Sequence, residues 1–454
     1  MTVAATGLDP LAPEALRART RDLVEHSRRP REQRLELKRR RLRELLRYAV
    51  GHSPYYRDAL GLEAEHAGLA DLPTLSKPRL MEEFDRIVTD PRLRVDDLEA
   101  FLVDADAGRA YLGEYRIFAT SGTTGVPGVF VYSHEEFAEW VALCLAALAR
   151  IGITPETRIA TVGAPSDLHI SRRLFAGFVA GREAPPRLSV TTPIVETVAA
   201  LNAYRPEAIT TYASIADRLA EEQLEGRLEI DLRYLVVSAE VLTDEAAERI
   251  RRAWGVEATN VYASTESPYM ANRWPGAGDP ALEPSDGVLL EVVDEAGRPV
   301  APGESGTKVL LTNLVNRAQP LIRYELSDSA APTGDGRIAR IDGRSDDILM
   351  LPAAGGGELQ VHPFWLRAPF ATLPAVRQYQ IVLEPDGLRV RVVLRSDADP
   401  GLPGRIESEL ADRLRQAGAM PPRIDVDQVD SIDREPGHAA KLKLVAASAV
   451  SSGG

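Results

Sequence analysis

From Arg116 to about Thr265 short runs rich in branched and aromatic residues alternate with longer amphipathic stretches. That alternation is the strongest constraint on the fold, because strand–helix repeats build α/β layers around a mainly parallel sheet. The strand-like runs are RIFAT at 116–120, RIATVGAP at 158–165, EAITTY at 207–212, LRYLVVSAE at 232–240 and ATNVYAST at 258–265. Between them, 142–151, 195–204, 214–225 and 243–254 carry apolar residues three and four apart, and Thr243-Asp244-Glu245 reads as a helix start. After residue 285 the texture changes to hairpins: GVLLEVVDEAGRPV turns at Glu295 to Gly297, and GTKVLLTNL follows. In the last hundred residues VRQYQIVLEPDGLRVRVVL reads as a hairpin about Asp386-Gly387, RIESELADRLRQAG as a helix and RIDVDQVDSI as a third strand.

The expected fold is therefore α/β. A large N-terminal domain, 1–343, with mainly parallel sheets and a β-rich subdomain precedes a small α+β C-terminal domain, 344–445, with the boundary near GRSDD at 343–347. The Gly-rich PAAGGGE at 352–358 is expected to be a mobile loop, and the tail 446–454 to be disordered. Residues 13–60 read as helical, with leucines on one side of the basic stretch RRPREQRLELKRRRLRELLRYAV and a stop at Pro54. That stretch is expected to be a solvated helix face; an acidic or nucleic-acid partner is the alternative.

Several classes fall away. The net charge of -13 repels a phosphate backbone over most of the surface, so no nucleic-acid partner is expected. No apolar run is long enough to span a bilayer, and the first twenty residues lack the charged start and apolar stretch of a signal peptide, so no membrane association and a cytoplasmic location are expected. The single cysteine, Cys144, allows neither an intrachain disulfide nor a thiolate metal site.

Chemistry is most visible in Thr120-Ser121-Gly122-Thr123-Thr124-Gly125, directly after a strand-like run. Such a loop exposes many N–H groups and hydroxyls within a few residues and can wrap phosphate oxygens, so it reads as a phosphate cradle, with a structural turn as the alternative. It is not a Walker loop, which requires a lysine that is absent. Only five of the 54 basic residues are lysines, and two of them, Lys441 and Lys443, fall in the last fourteen residues.

Taken with Ser238-Ala239-Glu240, Tyr262-Ala263-Ser264-Thr265-Glu266, Arg323-Tyr324-Glu325-Leu326-Ser327-Asp328 and Gly343-Arg344-Ser345-Asp346-Asp347, the loop resembles the ordered signatures of the adenylate-forming superfamily. That superfamily holds acyl-CoA synthetases, nonribosomal adenylation domains and luciferases. SPYYRDAL at 53–60 and LPTLSKPRLMEEFD at 72–85 are similar to phenylacetate-CoA ligases and to relatives near capsule-biosynthesis proteins.

The resemblance implies an ATP-dependent ligase. It activates a carboxylic acid, with aryl and arylacetic acids as candidates, to acyl-AMP with release of pyrophosphate, then passes the acyl group to CoA. The loop 120–125 would hold phosphates. Ser238, Ala239 and Glu240 would form the adenine turn and Tyr262 would stack on the base, with Ser264 in the same nucleotide-binding element. Thr265 would bond the α-phosphate and Glu266 would hold Mg²⁺. Asp328 would accept the ribose hydroxyls, supported by Arg344. Asp346 would be the hinge of a mobile C-terminal domain, and Lys441, preferred over Lys443, would stabilise the adenylation transition state. His169 and Ala263 are candidates for the acid pocket, though a lone histidine also suits a packed position. The chain departs from the family in having Val126 and Gly128 where many relatives carry a basic residue, and Ala263 beside the aromatic. An amine or carrier-protein acceptor, another oxyanion substrate, or a non-catalytic nucleotide-binding protein are the alternatives.

Overall fold

The computed structural model describes residues 9–447 except 62, 105–108, 121–127, 165–168, 171–172, 175–184, 345–348, 362–364, 367–368, 371–372, 374, 397 and 434–443. The first sheet element is an antiparallel hairpin of β1 (Tyr115–Ala119) and β2 (Val129–Ser133), with Ala119 opposite Val129. The parallel sheet follows: β3 (Ile159–Gly163), β4 (Arg187–Ser189), β5 (Ala208–Tyr212), β6 (Tyr234–Ser238) and β7 (Thr259–Tyr262), extended by antiparallel β8 (Ala271–Arg273) and β9 (Glu283–Pro284). The order is β4-β3-β5-β6-β7-β8-β9, with every pair from β4 to β7 parallel. All five residues of β5 are buried, as a central strand covered on both faces requires. The run 116–120, read as one strand of the α/β repeat, thus belongs to a separate hairpin. Its residues suit any buried strand, and their spacing does not name the partner.

The helices Ile194–Tyr204, Ala213–Leu224 and Asp244–Trp254 form as their apolar spacing predicts, the last capped by Thr243 Oγ1 accepting from Ala246 N at 3.3 Å. The helix His134–Arg150 begins eight residues before its predicted start, because Ser133 and Glu136 form a capping box.

Beyond β9, β10 (Val288–Val293), β11 (Lys308–Asn313) and β12 (Tyr324–Leu326) form an antiparallel sheet beside the ribbon β13 (Asp328–Pro332) and β14 (Ile338–Arg344). The last unit contains the hairpin β15 (Leu349–Pro352) and β16 (Glu358–Val361) and a four-stranded sheet of β17 (Val376–Glu384), β18 (Gly387–Leu394), β19 (Ile424–Gln428) and β20 (Val445–Ala447), in the order β19-β18-β17-β20. With the helix Leu402–Gln416 it encloses its own core, which includes Leu349, Ile381, Val390, Ile406 and Leu410. The stretch 352–358 is the tight turn of the β15–β16 hairpin, closed by Ala353 N donating to Gly357 O at 3.0 Å. Gly356 and Gly357 supply its positive φ values of 89° and 84°. Arg377 Nε lies 2.8 Å from Glu221 Oε1, and Arg395 Nη2 lies 3.3 Å from Glu225 Oε1, so ion pairs join this unit to the helix Ala213–Leu224.

The N-terminal helices are Pro13–Ser27, Arg31–His52 and Pro54–Leu60; Pro54 stops one helix and occupies the first turn of the next, where its missing N–H costs nothing. The basic helix is not simply solvated. Lys38 is buried and donates to Pro284 O at 3.3 Å, Arg41 donates to Asp286 O at 3.3 Å, and Arg34 pairs with Glu283 and Asp286. Burial brings the Lys38 amine down to about 8, against the opposing pull of Asp286. Among the described residues no helix is long and apolar enough to cross a membrane.

Candidate active site

In a parallel sheet the carboxyl ends of the strands all leave on one side, and loops there form the usual ligand crevice. Tyr212 of β5 pairs with Ser238 of β6, and Ser238 with Val261 of β7, so the two candidate elements 238–240 and 262–266 emerge on that edge beside the end of β5. Ala239 takes a left-handed conformation at φ 68°, costly for a residue with a Cβ, and turns the chain sharply away from β6. The Glu240 carboxylate then accepts a hydrogen bond through Oε2 from Ser214 N at 3.0 Å, at the start of the neighbouring helix.

Tyr262 ends β7. Its buried hydroxyl donates to Asp328 Oδ2 at 2.6 Å, which brings two predicted nucleotide contacts, 66 residues apart, into one hydrogen bond. Burial and the facing Asp328 and Glu266 carboxylates hold the Tyr262 phenol well above its usual pKa, so it remains a donor. Asp328 is also opposite Arg344 in the β13–β14 ladder, and Arg344 Nη2 donates to Ser327 Oγ at 2.6 Å. The ribose and hinge-side signatures are therefore cross-strand neighbours.

Ala263, Ser264, Thr265 and Glu266 lie in the connection of the β7–β8 hairpin, where Tyr262 faces Ala271. Ser264 N donates to Ser267 O at 3.0 Å and Ser267 N to Ser264 Oγ at 3.3 Å, folding the connection on itself. Its carbonyls are held from outside: Tyr132 of β2 donates to Thr265 O at 2.6 Å and Asn313 Nδ2 to Glu266 O at 3.0 Å. Glu266 is buried, with Oε1 3.5 Å from the Tyr324 hydroxyl. Burial first, and the Glu266 charge after it, raise the phenols of Tyr132 and Tyr324. A single buried carboxylate surrounded by neutral hydroxyls suits a hard divalent ion shared with substrate phosphates, which needs only one or two protein carboxylates. Among the described residues there is no group of three or more His, Cys, Asp and Glu that would hold a metal alone.

Of the phosphate loop only Thr120 is described; Ser121, Gly122, Thr123, Thr124 and Gly125 lie outside the described residues, as do Asp346, Lys441 and Lys443. Thr120 N donates to Gly128 O at 2.9 Å and Gly128 N to Thr120 Oγ1 at 2.9 Å, so the two residues flanking 121–127 are joined to each other as a neck. His169 is half-buried after β3, its carbonyl accepting from Arg173 N at 3.3 Å.

Three residues near these elements escaped the sequence reading. Asn313 and the buried Arg173, whose guanidinium lies 5.1 Å from the Phe118 ring centre, carried no local signal. Lys77, whose Nζ donates to Thr120 Oγ1 at 2.9 Å, carried one in the scarcity of lysine. A cavity of about 1010 Å³ between the helices Ala213–Leu224 and Asp244–Trp254 and the small unit is lined by residues such as Asp217, Arg249, Arg377 and Arg395, and by none of these candidates.

Residues 115–311 match the AMP-binding enzyme family. The chain is 27% identical over 392 residues to the phenylacetate-coenzyme A ligase of Thermus thermophilus, covering 79% of this chain and 80% of that protein. It is 28% identical over 349 residues to the phenylacetate-coenzyme A ligase of Escherichia coli, covering 69% and 72%. Among solved structures, 2-hydroxyisobutyryl-CoA ligase in the postadenylation state with 2-HIB-AMP superposes with a TM-score of 0.69 at 22% identity, covering 92% of this chain and 90% of that one.

Proposed function

Because the chain belongs to the adenylate-forming superfamily of AMP-binding enzymes, we propose that it is an acyl-CoA ligase acting on an aryl or arylacetic acid. The observation that carries this reading is the meeting of Tyr262, Asp328 and the buried Glu266 at the carboxyl edge of the sheet. A ribose-accepting carboxylate, an aromatic beside it and a metal-binding carboxylate are what an adenylating site requires.

The reaction joins two anions. A substrate carboxylate oxygen attacks the α-phosphorus of ATP, the new bond forms as the bond to pyrophosphate breaks, and the approach depends on neutralising charge. Asp328 accepts from the ribose hydroxyls while Tyr262 holds its other side. Tyr262 presents its ring to adenine, beside the turn Ser238-Ala239-Glu240, with Ser264 in the adjoining loop. Thr265, its carbonyl fixed by Tyr132, directs its hydroxyl to the α-phosphate. Glu266 would hold Mg²⁺, which supplies charge neutralisation at the phosphates. The loop 120–125 wraps the phosphates from the neck at Thr120 and Gly128. His169 and Ala263 flank the acid, Lys441 meets the reacting oxygens from the small domain 344–445, and Arg344 and Asp346 lie where that domain would swing from 1–343 before CoA takes the acyl group.

Acid-dependent ATP–pyrophosphate exchange tests the first half. A panel of acids should give exchange with aryl or arylacetic members, and adding CoA should convert acyl-AMP to a thioester. Exchange with no acid would sink the enzyme reading. Acyl-AMP that accumulates in the presence of CoA would transfer the proposal to an amine or carrier-protein acceptor.

A further inference from the structure

Between Arg116 and Arg150 the sequence has no lysine or arginine, so the Gly/Ser/Thr loop in that interval offers a polyanion only N–H groups and hydroxyls. A triphosphate held in a partly desolvated site needs positive charge close by. We propose that Lys77, far from the loop in sequence, is the lysine of the triphosphate site and contacts the β- and γ-phosphates at the Thr120–Gly128 neck. The proposal rests on the ATP-dependent function above and assigns a residue to it.

The position of Lys77 is built, not incidental. Leu75 N donates to Arg323 O and Glu325 N to Leu75 O, both at 3.0 Å, so the segment before Lys77 runs as a short extra strand along Tyr324. Thr74 Oγ1 donates to Glu325 Oε1 at 2.6 Å, and the buried guanidinium of Arg323, itself at φ 49°, donates to Ala70 O at 3.1 Å and to Leu72 O. These bonds tie Lys77 to the same strand whose Tyr324 faces Glu266.

Lys77 is the first residue of the helix Lys77–Glu82, whose Ser76 cap accepts from Arg79 N at 3.4 Å. A cation is disfavoured at that end of a helix, so the helix gains nothing from it. Its ammonium instead reaches Thr120 Oγ1, the oxygen that also accepts from Gly128. A Cβ on residue 128 would fall 2.9 Å from Lys77 Cε and 2.8 Å from Phe130 Cε2, so a glycine there leaves the space the lysine stem occupies. A lysine ammonium, a compact charge with three donors, suits phosphate oxygens approaching from several directions.

Calorimetric titration of the full chain with ATP and with AMP tests this for wild type, Lys77→Gln, Lys77→Met and Lys77→Arg. Lys77→Gln and Lys77→Met are expected to weaken ATP about tenfold or more while AMP changes less than about twofold, and Lys77→Arg to retain most ATP affinity. Lys77→Gln can keep the hydrogen bond to Thr120 without the charge, so it separates the two roles and carries the test should Lys77→Met unfold. Equal weakening of ATP and AMP would reduce Lys77 to a support of the neck, and unchanged ATP affinity in Lys77→Gln would also overturn the proposal. A wild-type chain that binds no ATP would sink the functional reading itself, and this assignment with it.

Discussion

Around the connection 263–270 the contacts are buried hydrogen bonds with one geometry each: Tyr132 to Thr265 O, Asn313 to Glu266 O, Tyr262 to Asp328. Between the small unit and the rest the contacts among the described residues include ion pairs, Arg377 with the buried Glu221 and Arg395 with Glu225, and Arg395 is 37% exposed as a side chain. Leaving a buried polar group unpaired costs about 1–3 kcal/mol, whereas an exposed pair contributes roughly 0–1 kcal/mol and water can replace either partner. The first kind of contact fixes a site, while a partly exposed pair such as Arg395 with Glu225 holds a unit only loosely. The proposed division of labour follows: Tyr262, Glu266 and Asp328 stay in place while the small domain carries Lys441 in and out.

The sharpest way to break that contrast is Lys441→Ala. Acyl-AMP synthesis should fall by about 10² or more, roughly 3 kcal/mol of transition-state stabilisation, while transfer from supplied acyl-AMP survives. Lys443→Ala should do much less. Equal loss of both half-reactions in single-turnover assays would mean that the two parts do not act separately, and the reverse ranking of the two lysines would move the role to Lys443.

How far the site was legible follows the same line. The strands β3, β5, β6 and β7 and their helices declare themselves through local spacing; the Gly/Ser/Thr loop after β1 stands out by residue type, whereas the motifs after β6 and β7 are marked only by resemblance to a family. Partners distant in sequence cannot be picked out in any of these ways. Nothing near Arg34, Lys38 or Arg41 points to Glu283 and Asp286, so the basic helix reads as solvated until its docking surface is known. The same holds for β1, which pairs with β2, and for Asn313, an ordinary strand-end asparagine until it meets the Glu266 carbonyl. The turn between β15 and β16 misleads for a different reason: Ala353 to Gly357 has the composition of a mobile loop, but a tight two-strand turn demands the same glycines for its positive φ values.

Replacing Asp328 sharpens the fixed side. Asp328→Ala removes the ribose acceptor and the partner of a buried phenol, and should weaken nucleotide binding by about 1.5–3 kcal/mol, a factor of roughly ten to a hundred. Asp328→Asn, which can still accept from Tyr262, should lose less. Calorimetry with ATP checks both, and unchanged affinity in Asp328→Ala would remove this residue from the site.

The smallest effect belongs to the movable side. Arg395 reaches Glu225 at 3.3 Å and Glu221 at 3.6 Å, and Glu221 keeps Arg377 and Arg218 when it is gone. Arg395→Gln should therefore weaken docking of the small unit by no more than about 1 kcal/mol and leave folding intact. Because the pair is partly exposed, added salt should act in the same direction as the substitution. Small-angle scattering of wild type should record a larger radius of gyration at high salt, and Arg395→Gln should reach it at lower salt. If neither salt nor the substitution alters the scattering, while Lys441→Ala still separates the half-reactions, contacts other than these ion pairs govern the docking, and the contrast between the two regions fails.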